Sequence, residues 1–263
     1  MQGRLCQTKR AWRHKLAGGV LILSSLVLAG CQAVTPAPAA EPAASAAPAA
    51  APAADLSGIH TYLVGRIGAL QESTATLKAA ADRYYELAAA SDFDYAALWQ
   101  EQQPAVIETL TAARDAWRQA SPQYEQMEGI VAGTPALAAF DVILDAGASG
   151  ADDPENAAPI DLQLPDGRTL EKPGNLFGVT ESTLWGTFAA FVAADVAADW
   201  DGDGAISFGE TLPDANVLKA GVDALDQQVA ALAQAAAAWE PTLSDAFTAL
   251  VVMTPTMSEY FGS

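Results

Sequence analysis

A stripe of apolar residues, Ile59, Leu63, Ile67, Leu70, Leu77 and Tyr84, recurs at steps of three, four or seven. Those steps return a side chain to the same face of a helix, so the stripe predicts one long amphipathic helix over about 57–90. A second helix is expected over 94–131, with Val106, Leu110, Ala113 and Trp117 on one face and Pro104 and Pro122 kinking or dividing it. A short helix over 135–146 starts with Pro135 in its first turn. Residues 147–173 read as an acidic loop in which Leu164-Pro165-Asp166-Gly167-Arg168 makes the tight turn of a small hairpin. Helix is expected again over 176–198, through Leu218, Val222, Leu225, Val229 and Leu232, and after Pro241. No segment alternates as a run of strands would. The pattern therefore predicts an all-α, up-and-down helical bundle.

The 51% apolar content of the 263 residues is enough to build a sizeable core. Charge is distributed unevenly: five of the 13 basic residues (Arg4, Lys9, Arg10, Arg13, Lys15) precede residue 31, and no acidic residue does. From residue 31 onward 8 basic residues face 32 acidic ones, a net of −24. A surface that acidic repels phosphate backbones, which argues against nucleic acid as a partner and favours cations.

The N-terminus reads as an address and an anchor. Its basic stretch ends at Lys15, and Leu16 to Gly30 form an apolar run of signal-peptide length, too short for a comfortable membrane span. The run closes with Leu28-Ala29-Gly30-Cys31, which resembles the lipobox of bacterial lipoproteins. The resemblance implies cleavage before Cys31 and a diacylglyceryl group on its thiol, an extracytoplasmic protein tethered to the membrane in the periplasm or at the cell surface. Residues 1–30 are then a signal peptide, 31–54 the lipidated cysteine with an Ala/Pro-rich spacer, and 55–263 the functional body. Both cysteines, Cys6 and Cys31, precede the body, so it has neither a disulfide framework nor a thiolate metal site.

Residues 199–210, Asp-Trp-Asp-Gly-Asp-Gly-Ala-Ile-Ser-Phe-Gly-Glu, carry the sharpest chemical signal. Asp199, Asp201 and Asp203 at loop positions one, three and five direct carboxylates to one centre as the chain curls around a hard cation, and Gly204 takes the sharp turn. Ala205 offers its carbonyl, Ser207 a hydroxyl or a bridging water, and Glu210 two oxygens. The segment resembles the EF-hand calcium loop, which implies calcium as ligand, an entering helix over Ser182 to Ala198, and Ile206 as the apolar plug that meets a second loop. Only one such loop is present and Pro213 follows it, so the expected affinity lies at the weak end, on the order of 10⁻⁵ to 10⁻³ M. That suits a structural clamp filled by external calcium. The fold expected is thus a helical bundle with an inserted EF-hand-type loop.

A second set of residues resembles imelysin-like proteins, the group that includes the periplasmic EfeO component of ferrous-iron uptake. The segments are Ala112-Ala113-Arg114-Asp115-Ala116-Trp117 with Tyr124-Glu125-Gln126-Met127-Glu128-Gly129-Ile130-Val131-Ala132, then Phe140-Asp141-Val142-Ile143-Leu144-Asp145, then Glu181-Ser182-Thr183-Leu184-Trp185-Gly186. They occur in the family's order, and the similarity covers about 60–260. The resemblance implies a helical bundle with a metal-binding cleft, in which Glu128, Asp145 and Glu181 match the acidic ligands. The family's signature histidine, three residues before Glu181, is replaced by Gly178. The body's only histidine is His60, which reads as a helix-start or surface residue. An oxygen-only cleft favours harder ions, so a second divalent metal there is expected to be hard rather than zinc-like. The chain ends soon after Pro255 without the closing helix that the family implies, which reads as a shortened C-terminus.

These readings converge on a lipid-anchored calcium-binding protein with an imelysin-like domain. It is expected to be non-catalytic and to serve iron or other metal acquisition, with an uptake permease or another surface protein as partner. The alternative is a divergent imelysin-type metallopeptidase working in the cleft around Glu181. No HExxH motif is present to support that alternative.

Overall fold

The computed structural model describes residues 54–147, 160–193, 196 and 198–251. The expected signal segment, Cys31 and nearly all of the Ala/Pro-rich stretch lie outside the described residues. Three long helices make the body: α1 (Ser57–Ala90), α2 (Tyr95–Gly133) and α5 (Ala215–Ala238). Between α2 and α5 come α3 (Ala138–Asp141), a π-helical turn (Val142–Ala146), a hairpin of β1 (Leu162–Gln163) and β2 (Thr169–Leu170), α4 (Leu176–Trp185) and a 3₁₀ turn (Ala189–Phe191). The last helix among the described residues, α6, covers 243–251. Among the described residues no helix is long and apolar enough to cross a membrane.

The core is the stripe read from the sequence. Leu63, Ile67, Leu70, Leu77 and Tyr84 of α1 are fully buried, with Ile59 packed at the margin. They meet Val106, Leu110, Ala113 and Tyr124 of α2 and Leu218, Val222, Leu225, Val229 and Leu232 of α5. Each such leucine contributes about 1.5–3 kcal/mol through removal of its apolar surface from water. One polar seam crosses this packing: Lys78 and Lys219 alternate with Asp82 and Asp223 between α1 and α5, at 2.6–2.8 Å.

Helix ends follow local chemistry. Asp94 accepts hydrogen bonds from the amides of Ala96 and Ala97 at the start of α2, and Asp214 from those of Asn216 and Val217 at the start of α5. The two prolines of α2 act differently. The backbone departs from helical geometry at Gln102, two residues before Pro104, whereas the helix continues through Pro122 without a comparable break. Leu164 and Arg168 close the expected hairpin turn, the Leu164 amide donating to the Arg168 carbonyl at 2.9 Å.

Two expectations fail. The helix expected over 135–146 begins only at Ala138, after a turn that holds Pro135, and passes into the π-helical turn at Val142. The helix over 176–198 stops at Trp185, because Gly186 takes a left-handed backbone (φ +69°) and caps it. Residues Ser182 to Ala198 therefore do not form the entering helix of an EF-hand. The segment that carries the acidic loop is instead pinched at its neck, where the Ala193 amide donates to the Leu212 carbonyl at 2.8 Å and the Asp214 amide to the Phe191 carbonyl at 2.9 Å. The hydroxyl of Tyr84, buried in the core, donates to the Pro213 carbonyl at 2.9 Å and ties that neck to α1.

Candidate metal centres

Residues 199–210 fold into a turn closed by its own side chains. The two carboxylate oxygens of Asp199 accept from the amides of Gly202 (2.7 Å) and Gly204 (2.8 Å), and Asp201 and Asp203 accept from the amides of Asp203 and Ala205. Glu210 folds back from the far end, one oxygen accepting from the Trp200 amide at 2.9 Å and the other from the Ser207 amide at 2.5 Å. Gly202 and Gly204 supply the left-handed turns (φ +75° and +86°) that bring the three aspartates to one side. Ligand oxygens of Asp199, Asp201 and Asp203 all lie within 4.8 Å of one another, with Glu210 outside that group. The Gly204 amide, foremost, holds the Asp199 carboxyl below the usual range, and the Ser207 amide does the same for Glu210. The donors on offer are carboxylates, the Ser207 hydroxyl and the Ala205 carbonyl, all oxygen, which is the set a hard cation such as calcium takes. Ile206 and Phe208 stand 53% and 80% exposed, so the apolar plug has no partner surface among the described residues.

Arg114 of α2 fixes this turn to the bundle. Its guanidinium donates to the Leu184 carbonyl through Nε (3.1 Å) and Nη2 (2.7 Å), and through Nη2 to the Gly209 carbonyl at 2.5 Å. It also lies over the ring of Trp200, the second residue of the turn, at 3.9 Å from the centroid. Burial pushes the Arg114 guanidinium down to about 10, with Arg118 adding repulsion. Trp185 continues the stack, meeting Trp117 edge to face at 5.2 Å. Gln103 adds a hydrogen bond from Nε2 to the Asp199 carbonyl at 3.3 Å. Trp200, Trp185 and Trp117 thus form a half-buried ladder from the turn toward the core.

The second cluster joins α2 to the π-helical turn. Glu125 and Glu128 are three residues apart on one face of α2, and ligand oxygens of Glu125, Glu128 and Asp145 lie within 4.8 Å of one another. Tyr124, fully buried between them and the core, donates its hydroxyl to Asp141 at 2.6 Å. Burial pushes the Glu128 carboxyl up to about 7, and Asp141, Glu125 and Asp145 push in the same direction. Burial also raises Glu125, and it raises Asp141 despite the Tyr124 hydrogen bond. A group of carboxylates held above their usual range would bind either a proton or a hard divalent cation.

Of the cleft residues read from the sequence, Glu128 and Asp145 come together and Glu181 does not join them. Glu181 is exposed on α4, and desolvation of its inner side raises its carboxyl above the ordinary range. The third member is Glu125, which the sequence reading does not single out; its spacing of three from Glu128 is the available signal. Gly178, where the family's histidine would stand, lies in the wall of a cavity of about 590 Å³ between β2, α4 and the 3₁₀ turn. A Cβ there would lie 2.9 Å from Oδ1 of Asn175. That Asn175 amide group is already used: Oδ1 accepts from the Gly178 amide at 2.6 Å, capping α4, and Nδ2 donates to the Asp145 carbonyl at 2.5 Å. His60 lies near the start of α1 with Nε2 3.1 Å from the Ala236 carbonyl of α5.

No curated protein and no solved structure is similar enough to the chain to match it. The family model described as Imelysin (Peptidase_M75) matches residues 61–263, a span that begins inside α1 and takes in α2 through α6 and both acidic clusters. By that match, with the helical bundle it accompanies, the chain belongs to the imelysin family.

Proposed function

We propose that this chain is a lipid-anchored, extracytoplasmic calcium-binding member of the imelysin family that handles metal ions rather than cleaving peptides. The observation that carries the calcium reading is the closed turn of residues 199–210, in which seven backbone amide hydrogen bonds hold the acidic side chains in place. Donors that are ordered beforehand lose less entropy on binding, and all of them are oxygen. Calcium here would be held by Asp199, Asp201, Asp203, Ala205, Ser207 and Glu210. It would neutralise charge in a turn that Arg114 already clasps to α2 and α4. Cys31 would carry the lipid, and the Ala/Pro spacer would hold the domain off the bilayer.

Several features favour metal handling over hydrolysis. Position 178 is glycine, the Asn175 carboxamide lies against it, and the one histidine of the body has its Nε2 at the Ala236 carbonyl. A hydrolytic metal centre of the zinc type wants imidazole and an open coordination position. The cluster of Glu125, Glu128 and Asp145 offers oxygen alone, a better match to a second hard divalent ion delivered to or received from an uptake partner.

Titration of residues 31–263 with calcium, carrying Cys31→Ser, tests the reading. One saturable event is expected that Asp203→Ala abolishes and the pair Glu125→Gln/Glu128→Gln leaves intact. Heat that does not saturate, or saturation untouched by Asp203→Ala, would sink it. Metabolic labelling with palmitate, lost in Cys31→Ser, tests the anchor separately.

One observation favours the alternative of a divergent metallopeptidase. Glu128, pushed up to about 7 beside two further acids, has the proton affinity of a general base. Chelator-sensitive cleavage of casein by the purified chain, lost in Glu128→Gln, would establish that reading over the first.

A further inference from the structure

Helix α6 presents an apolar face to the outside. Leu243, Phe247, Leu250 and Val251 are 65%, 69%, 63% and 51% exposed. They recur at steps of four, three and one, which gathers them into one stripe along two turns of helix. The inner face is made of small residues: Ala249 packs against Gly133 at the end of α2, and Ala246 and Ala249 line a cavity of about 200 Å³ that also includes Ile59 and Trp239. The outer stripe carries no charge. The one charged residue of α6, Asp245, is turned back on the helix start, where its carboxylate accepts from the amide and hydroxyl of Thr242 at 2.9 Å each. The chain has a net charge of −24 beyond residue 30, and this face carries none of it.

Its position in the fold says what would cover it. Ile59, two residues inside the start of α1, shares the small cavity with Leu250, so α6 lies at the end of the bundle where the chain from Cys31 enters. That chain is the 23 residues from Gln32 to Ala54. A flexible tether of this length has a root-mean-square span of about 25–30 Å, and a Pro-rich one somewhat more. A surface bound at Cys31 is then presented to α6 at roughly millimolar effective concentration. Four apolar side chains bind a bilayer weakly from solution, yet a weak contact is well populated at that concentration.

We propose that α6 rests on the lipid bilayer through Leu243, Phe247, Leu250 and Val251, as a second, non-covalent foot beside the lipidated Cys31. The inference rests on the anchor reading above, and the experiment separates the two by making the tether chemically. Cys31 is the only cysteine after residue 30, so its thiol can be coupled to a maleimide lipid in phosphatidylcholine vesicles. The coupled chain carries Phe247→Trp and the vesicles contain brominated phosphatidylcholine, which quenches a tryptophan that enters the acyl region. The coupled parent chain supplies the background of its native tryptophans, and a second coupled chain carries Ala75→Trp, roughly 27 Å along α1 from its start.

With that background subtracted, the indole introduced by Phe247→Trp is expected to be quenched about fivefold more than the one introduced by Ala75→Trp. Adding Leu243→Ser and Leu250→Ser should remove most of that difference, and replacing phosphatidylcholine by phosphatidylglycerol should reduce it, because the acidic domain is repelled. Equal quenching at positions 75 and 247 overturns the proposal. So does sedimentation of the uncoupled chain as a dimer that Phe247→Ser dissolves, since a second copy would then cover the face. Because the tether is synthetic, absence of palmitate labelling in cells would refute the anchor reading without touching this result.

Discussion

The guanidinium of Arg114 lies 3.9 Å from the ring centroid of Trp200, so a half-buried cation of α2 stacks on the second residue of the acidic turn. The same group donates to the Leu184 and Gly209 carbonyls, one at the end of α4 and one inside the turn. Only a planar fork serves three directions at once. Arg114→Lys should therefore cost about 2–3 kcal/mol of stability, in the range of hydrogen bonds to charged groups. It should also weaken calcium binding about tenfold, because the turn loses its clasp. Thermal unfolding with and without calcium checks both; a lysine variant as stable as the parent would show that the stack, without the fork, suffices.

Gly204 has a left-handed backbone at φ +86° with open space where a Cβ would project. Gly204→Ala therefore meets no neighbour and suffers only the backbone penalty, about 1 kcal/mol. If the turn holds its geometry when calcium binds, the penalty is present with and without the ion, so the thermal midpoint of the metal-free protein should fall by about 2–4 °C while calcium affinity stays within about twofold. Calorimetric titration beside a melting curve distinguishes this local effect from general unfolding.

How far the sequence discloses the molecule depends on which physical signal is at work. The stripes of α1 and α5 are legible because burial repeats at the helical period, and every named residue from Leu63 to Tyr84 is in the core. The end of α4 is not, because apolar residues continue past Gly186 as Phe188 and Phe191, and composition alone does not say that the glycine turns left-handed. At the acidic turn the spacing of Asp199, Asp201 and Asp203 transmits directly to geometry, since neighbours in sequence stay neighbours in space. At the cleft it does not: Glu181 matches a family segment yet sits apart from Glu128 and Asp145, while Glu125 joins them through helix periodicity and the wide π-helical turn at Val142–Ala146.

Glu128 sets a pH dependence whose sign follows from its environment. Its carboxyl is held at about 7 in the folded chain against an ordinary 4.5, so between those values the folded state binds the extra proton. Stability is full below about pH 4.5 and declines as pH rises through 7. Glu125 and Asp141 shift the same way. Glu128→Gln should leave stability unchanged at pH 5 and raise it at pH 8 by about 1–2 kcal/mol, allowing for solvent screening at a partly exposed site. Urea denaturation at the two pH values measures the difference. Manganese added at pH 8 should stabilise the parent and not the variant; a variant equally stabilised by manganese would take the metal away from this cluster.

Gly133 ends α2 where α6 crosses it, and a Cβ there would lie 2.7 Å from the backbone nitrogen of Ala249, with the Ala249 Cα nearer still. Those atoms are main chain and do not yield as a side-chain tip would. Gly133→Ala should therefore lift α6 off the bundle while α1, α2 and α5, whose core does not include that contact, stay packed. Hydrogen exchange is the direct measurement: protection should fall about tenfold or more across 243–251 and hold through Leu63–Tyr84. Ala249→Gly, which removes the opposing methyl but leaves the main chain in the way, should not restore it. Uniform loss of protection across all helices would instead mean that α6 is part of the cooperative core, and that its outward stripe is a consequence of packing that the bundle requires.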